Sequence, residues 1–223
     1  MFHLRQLVVS GMAHVQAICA RFVASIGTRY PDLLLVFWLL EGLALSAYLL
    51  ARISSLTIPF ALQFLGAGVS PHLRLLSQAE DQIPLQAAAA RVNLGYLMVC
   101  GAMALIVLVS MPYIAEMLEL SHPDGSDILI WLVVGQAAPI FFGATGVLMQ
   151  AVDRGTVNEI LYALTATFFI VSILVQSAGT AVIIAQTLAV AQLTHAAICA
   201  ILLTHLGVWP GLTALFHKEI KLF

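Results

Sequence analysis

The stretch AAAARVNLGYLMVCGAMALIVLVSMPYIAEML, Ala87 to Leu118, carries one cation, Arg91, near its start and one carboxylate, Glu116, near its end. The uncharged run between them is longer than the roughly 20 residues an α-helix needs to cross a hydrocarbon core of about 30 Å. Lipid offers no partners for backbone amides, and the alternation of a lipid-facing barrel strand is absent, so the run reads as a transmembrane helix. Its alanine-rich start suits a close helix contact.

The rest of the chain repeats this pattern. Of its 223 residues, 61% are hydrophobic and 9% charged, and the mean hydropathy is +1.02. A water-soluble domain has roughly 25% charged residues, so the sequence predicts an all-α integral membrane protein, a single domain over 1–223. Its six spans are expected at about 10–40, 43–70, 87–114, 128–152, 159–175 and 181–206. The second carries Arg52, Pro59, Gly66, Gly68 and Pro71 and continues past the membrane towards Leu76. In the fourth, Gly135, Pro139, Gly143 and Gly146 permit bends or close packing.

Between the spans lie SQAEDQIPLQ, Ser77 to Gln86; ELSHPDGSD, Glu119 to Asp127; and the turns DRGTVN and SAGT. The loop cations Arg5, Arg74, Arg91, Arg154, Lys218 and Lys221 occupy the two termini and every second connection. Glu41, Glu116, Glu119, Asp124 and Asp127 occupy the other side. The bias of Lys and Arg towards the cytoplasm therefore predicts an even number of spans with both termini cytoplasmic.

A net charge of -2 gives no basic excess for nucleic acid. Cys19, Cys100 and Cys199 are odd in number, far apart and apolar in setting, and read as small core residues. The seven histidines do not cluster as metal ligands. Neither a nucleophile elbow nor a Gly-rich loop followed by Lys is present, so no enzyme activity, cofactor or metal is expected. The start MFHLRQLVVSGMAHVQ is poor material for a cleavable signal peptide, which leaves the first spans as the membrane address.

Four charges remain within the spans: Arg21, Arg29 and Asp32 on the first helix, Arg52 on the second. A charge at mid-bilayer costs at least about 2.5–3.5 kcal/mol, so each should face protein or a water-filled cavity. Arg29 and Asp32 are three apart and can pair on one face. Arg21 either snorkels to the interface or joins a cavity. Arg52 is the side chain suited to phosphate and is expected to face a cavity. Gln63, about three turns on, shares its face. Gln136, Gln176 and Gln186 serve either as interhelical hydrogen bonds, worth about 0.6 kcal/mol each, or as sugar contacts in a cavity wall.

The run PDLLLVFWLLEGLALSAYLLARISSLTIPFALQFLGAGVSPHLRLL, with Asp32, Tyr48, Ala51, Arg52 and Pro71 at its landmarks, followed by LQAAAARVNLGYL and later by FFGATGVLMQAVDRGTVNEI, resembles the polysaccharide-biosynthesis flippases. These belong to the superfamily of multidrug, oligosaccharidyl-lipid and polysaccharide exporters. The resemblance implies a carrier that moves undecaprenyl-pyrophosphate-linked oligosaccharides across the bacterial inner membrane. It would make Arg21, Arg29, Arg52 and Gln63 cavity residues for the substrate, with Asp32 balancing them or binding a coupling cation. Family members have about twelve spans in two lobes, and this chain resembles the C-terminal lobe alone. A second lobe, either another copy in a homodimer or a separate chain, would complete the carrier. A drug or metabolite extruder lobe coupled to a cation, and a non-transporting assembly subunit or truncated remnant, are the alternatives.

Overall fold

The structure, a computed structural model, describes residues 30–79, 83–118, 122–176 and 179–211. They form helices α1 (Pro31–Leu39), α2 (Gly42–Ser55), α3 (Thr57–Ser77), α4 (Ile83–Met117), α5 (Gly125–Gln136), α6 (Ala138–Phe142), α7 (Thr145–Ala151), α8 (Gly155–Gln176) and α9 (Ala181–His205). Five stretches are long and apolar enough to span a bilayer: Gly42–Ser77, Ile83–Met117, Gly125–Phe142, Gly155–Gln176 and Ala181–His205. The chain is an all-α, multi-pass membrane protein. Of the expected first span, α1 is the described part, and Arg21 and Arg29 lie outside the described residues.

α9 is the centre of the bundle. Its buried residues Ala181, Ile184, Ala185, Leu188, Ala189, Ala191, His195, Ala196, Cys199 and Leu203 recur at helical spacing on more than one side, and most are small. Small side chains let helices approach closely where lipid supplies no hydrophobic drive for association. α9 accordingly packs on α5, α8, α7 and α6. Its contact with α5 is tightest at Gly135, where a Cβ would stand 2.9 Å from the Ala189 Cα. Outward-facing side chains such as Trp38, Phe64 and Leu105 are exposed, as lipid contact requires.

α2 and α3 form one rod of 36 residues, loosened at Leu56. Pro59 has no N–H to return to Ser55, and the Ser54 and Ser55 hydroxyls bond back to the carbonyls of Leu50 and Arg52 at 2.9 Å each. Such back-bonding bends helices. α4, with 35 residues, is about 52 Å long at 1.5 Å per residue. The rod and α4 pack along each other and both exceed the bilayer core, so their ends at Ser77 and Ile83 project from it.

The expected fourth span, 128–152, is three helices instead of one. α5 stops at Gln136. After the one-and-a-half turns of α6, Gly143 adopts φ 72°, ψ −164°, a conformation essentially reserved for glycine. Asn93 of α4 bridges the break: its Oδ1 accepts the Ala144 N–H at 2.9 Å, and its Nδ2 donates to the Trp209 carbonyl at 3.5 Å. Gln86 holds the same turn beyond α9, accepting from the Trp209 N–H at 3.2 Å and donating to the Gly207 carbonyl. The chain therefore satisfies an interrupted helix with side-chain amides from a neighbour, as backbone at membrane depth demands. Asn93→Ala leaves the Ala144 N–H buried and unpaired, with an expected loss of about 1–3 kcal/mol, measurable as a lower midpoint in SDS titration of the full chain in mixed micelles. An unchanged midpoint would show that the amide does not hold the break.

Candidate functional site

Gly42, with φ 54°, reverses the chain between α1 and α2. Asp32 and Arg52 each lie ten residues from it, so in an antiparallel hairpin they meet about 15 Å from the turn, near mid-bilayer. Tyr48 and Arg52, four apart, share the facing side of α2. The Arg52 Nη2 donates to Asp32 Oδ1 at 3.0 Å, Nε stands 2.7 Å from Oδ2, and the Tyr48 hydroxyl donates to Oδ2 at 3.1 Å. The Arg52 guanidinium also lies 5.7 Å from the Tyr30 ring centroid, within cation–π range. Asp32 and Arg52 are both 0% exposed.

This arrangement pairs two of the residues expected at the site with each other. Arg52 does not line the described cavity: the Asp32 carboxylate neutralises it through one hydrogen bond and one further close ion contact, and its side chain is buried. Asp32, expected to balance the arginines or to bind a coupling cation, has both oxygens contacted by Arg52 and Tyr48, while the expected pairing with Arg29 lies outside the described residues. The two charges share one desolvated site because each is the other's least costly neighbour there.

The cavity lies elsewhere, between α3 and α7 on one side and α5, α6, α8 and α9 on the other, with Tyr30 and Tyr96 contributing. Its volume is about 1040 Å³, at the upper end of small-molecule sites. α3 and the residue that ends it supply a polar stripe at helical spacing, Gln63, Ser70, Arg74 and the C-cap Gln78. Gln136, Gln150 and Gln192 face it from α5, α7 and α9. Among the described residues, none of the five glutamine side chains that line the cavity makes a hydrogen bond within the protein, and the Oε1 of Gln192 is buried without a donor. Amides at membrane depth ordinarily find interhelical partners, so the part-buried Gln136 and Gln192, unspent against one space, are suited to water or a ligand. Arg74 is the one charged side chain of the described lining.

Gly66 keeps the space open, since a Cβ there would meet the Tyr96 hydroxyl at 2.6 Å and Val147 at 2.8 Å. The α8–α9 wall carries Asn158, Tyr162 and His195. The Tyr162 and His195 rings stack with centroids 3.8 Å apart, and the Cys199 thiol behind them lies 3.5 Å from Asn158 Oδ1 and 3.6 Å from His195 Nε2.

Of the residues singled out in the sequence, the structure brings Gln63 and Gln136 into the cavity, draws Asp32 and Arg52 into a separate ion pair, and leaves Gln176 and Gln186 off the lining. Sequence reading missed Arg74, Gln192, Tyr162 and His195. The stripe at 63, 70, 74 and 78, spaced at roughly whole helical turns, was a legible signal for the first. Gln192, alone in an apolar run, gave none. No family model, curated protein or solved structure matches the chain.

Proposed function

We propose that this protein is a membrane carrier that translocates a lipid-linked oligosaccharide, probed as an undecaprenyl-pyrophosphate sugar, across the bacterial inner membrane with both termini cytoplasmic. The observation that carries this reading is the cavity of free amides with Arg74 in its wall. Amides serve uncharged hydroxyl-rich groups, which donate and accept at once. Arginine serves phosphate through its planar donor fork. The apolar exterior lets a lipid tail remain in the bilayer while the head group occupies the cavity. In this scheme the anion is handled by Arg74 and not by Arg52, whose charge Asp32 already compensates. A second lobe, another copy or a separate chain, closes the cavity on the side the bundle leaves open and gives alternating access. The engagement of both Asp32 oxygens favours this carrier over an extruder in which that carboxylate binds a coupling cation.

The test is complementation of a flippase-null strain, by this chain alone and with candidate partner lobes, scored as surface polysaccharide. Export is expected to fall at least about tenfold for Arg74→Gln, corresponding to about 1.4 kcal/mol of lost interaction with the anion, at equal membrane level. Failure of complementation in every combination, or full export by Arg74→Gln, would refute the reading.

A further inference from the structure

Gln136 and Gln192 each lie eleven residues beyond the starts of α5 and α9. These helices begin on the same side of the membrane, so both amides stand about 16 Å deep, halfway through a core of about 30 Å. Arg74 lies thirty-two residues beyond Gly42 on the rod, about 48 Å along it and past the core on the opposite side. The cavity thus has a charged end and an uncharged end.

At the uncharged end, α5 and α9 touch through Gly135, and a Cβ added there would strike the Gln192 carboxamide oxygen and Ala189. Glycine is what lets the Gln192 side chain lie across α5 with its amide in the cavity wall. That amide has no partner at either the carbonyl or the NH2 group among the described residues, and its oxygen is buried. Left so, a buried acceptor costs about 1–3 kcal/mol. A ligand hydroxyl removes that cost and can accept from the NH2 group as well. Gln136 offers a second amide at the same depth, and the stacked Tyr162 and His195 rings give an apolar surface alongside. A charged group placed here would stand at mid-bilayer without a counter-charge among the described lining residues, at a penalty of several kcal/mol.

We infer that the mid-membrane end of the cavity is a subsite for an uncharged ring bearing hydroxyl donors, with Gln192 and Gln136 as its specificity-determining amides. It deepens the carrier reading, since it concerns the same cavity, but it is a statement about binding and has its own readout. Because an amide can exchange its oxygen and nitrogen by rotating the last side-chain torsion, the subsite accepts donor and acceptor in either order, which suits a polyol in more than one orientation.

The experiment uses the full chain in lipid nanodiscs, with methyl glucoside and its fully O-methylated form as probes and saturation-transfer NMR as the readout. The free glucoside is expected to bind at least about tenfold more tightly than the methylated form, which keeps the ring but has no donors. Gln192→Leu, close in size and compatible with an apolar helix, is expected to weaken glucoside binding about tenfold and to erase the difference between the probes. Gly135→Ala, which displaces the same amide without deleting it, is expected to act in the same direction. Leu105→Ala, on the exposed face of α4, leaves binding unchanged. Protection of Cys100 and Cys199 from thiol reagents, both buried in the native bundle, certifies that each variant is folded. Equal binding of the two probes, no binding of either, or unchanged glucoside affinity in folded Gln192→Leu would overturn the subsite. Saccharide binding in a chain that fails every export test would refute the carrier and leave the subsite standing.

Discussion

Alanine in place of Asp32 is expected to destabilise the bundle by about 3–5 kcal/mol, because Arg52 would remain buried and cationic at mid-membrane without its carboxylate. Arg52→Ala is expected to cost a similar amount, leaving Asp32 with the Tyr48 hydroxyl as its partner among the described residues. Removing both charges is a different matter. A pair of apolar residues of similar volume, Asp32→Leu with Arg52→Met, avoids desolvating either ion and is expected to approach or exceed the stability of the native pair. The non-additivity is the diagnostic: two large single losses and a small double one give a coupling energy that lipid-facing or solvent-facing charges would not show. The measurement is thermal unfolding in detergent followed by a thiol-reactive fluorophore, in a Cys19→Ser background. Cys100 and Cys199 are both 0% exposed and report the opening of the core. Single variants that melt with the native protein would show that the pair contributes nothing to the bundle. A double variant no better than either single one would show that the site needs its polarity for another reason.

The second large effect belongs to Gly143. Its φ of 72° lies in the region that L side chains rarely adopt, and a Cβ would fall on the backbone N of Gly211 and on Asn93 Oδ1, with the Gly211 Cα at 2.7 Å. Backbone strain of this kind costs about 1–3 kcal/mol, and the overlap with Gly211 is with main chain that cannot swing aside. Gly143→Ala is therefore expected to lose about 3 kcal/mol or more, and to loosen the turn at 207–211 that packs against it. Gly146, three residues on and with nothing within 4 Å of a Cβ, is the control: Gly146→Ala is expected to be neutral or slightly stabilising, since alanine is the better helix former by up to about 1 kcal/mol. Chemical unfolding in SDS separates the two. Equal midpoints for Gly143→Ala and the native chain would mean that the break can be repacked as continuous helix, and that Asn93 and the 207–211 turn do not define it.

The broken fourth span also shows how far local signals reach. Gly135, Pro139, Gly143 and Gly146 announced weak helix, and the helix does break, at Ala137 and at Gly143. Gly135 serves instead to admit Gln192 and Ala189, and Gly146 lies within helix. A glycine has the same meaning to a local pattern whether it bends the chain or makes room for a neighbour. The distinction lies in what stands opposite. The same holds for Asp32, for which Arg29 was a suitable partner by spacing. Arg52 is twenty residues away, and it reaches Asp32 because the turn at Gly42 brings the two to one level; Arg29 lies outside the described residues.

What the sequence determined by itself was the solvent and the helical secondary structure. Each follows from transfer free energies that add along a segment: an uncharged apolar run of bilayer length must be helical in lipid, and a polar, Pro- and Gly-bearing connection must lie outside it. The tertiary structure alone decided which polar groups meet. Burial of Asp32 with Arg52, the seating of Gly143 against Gly211, and the gathering of five amides and one arginine around a single cavity all depend on the rotation and tilt of helices about one another. Those are set by close packing of small residues between distant segments, an interaction that no single segment contains.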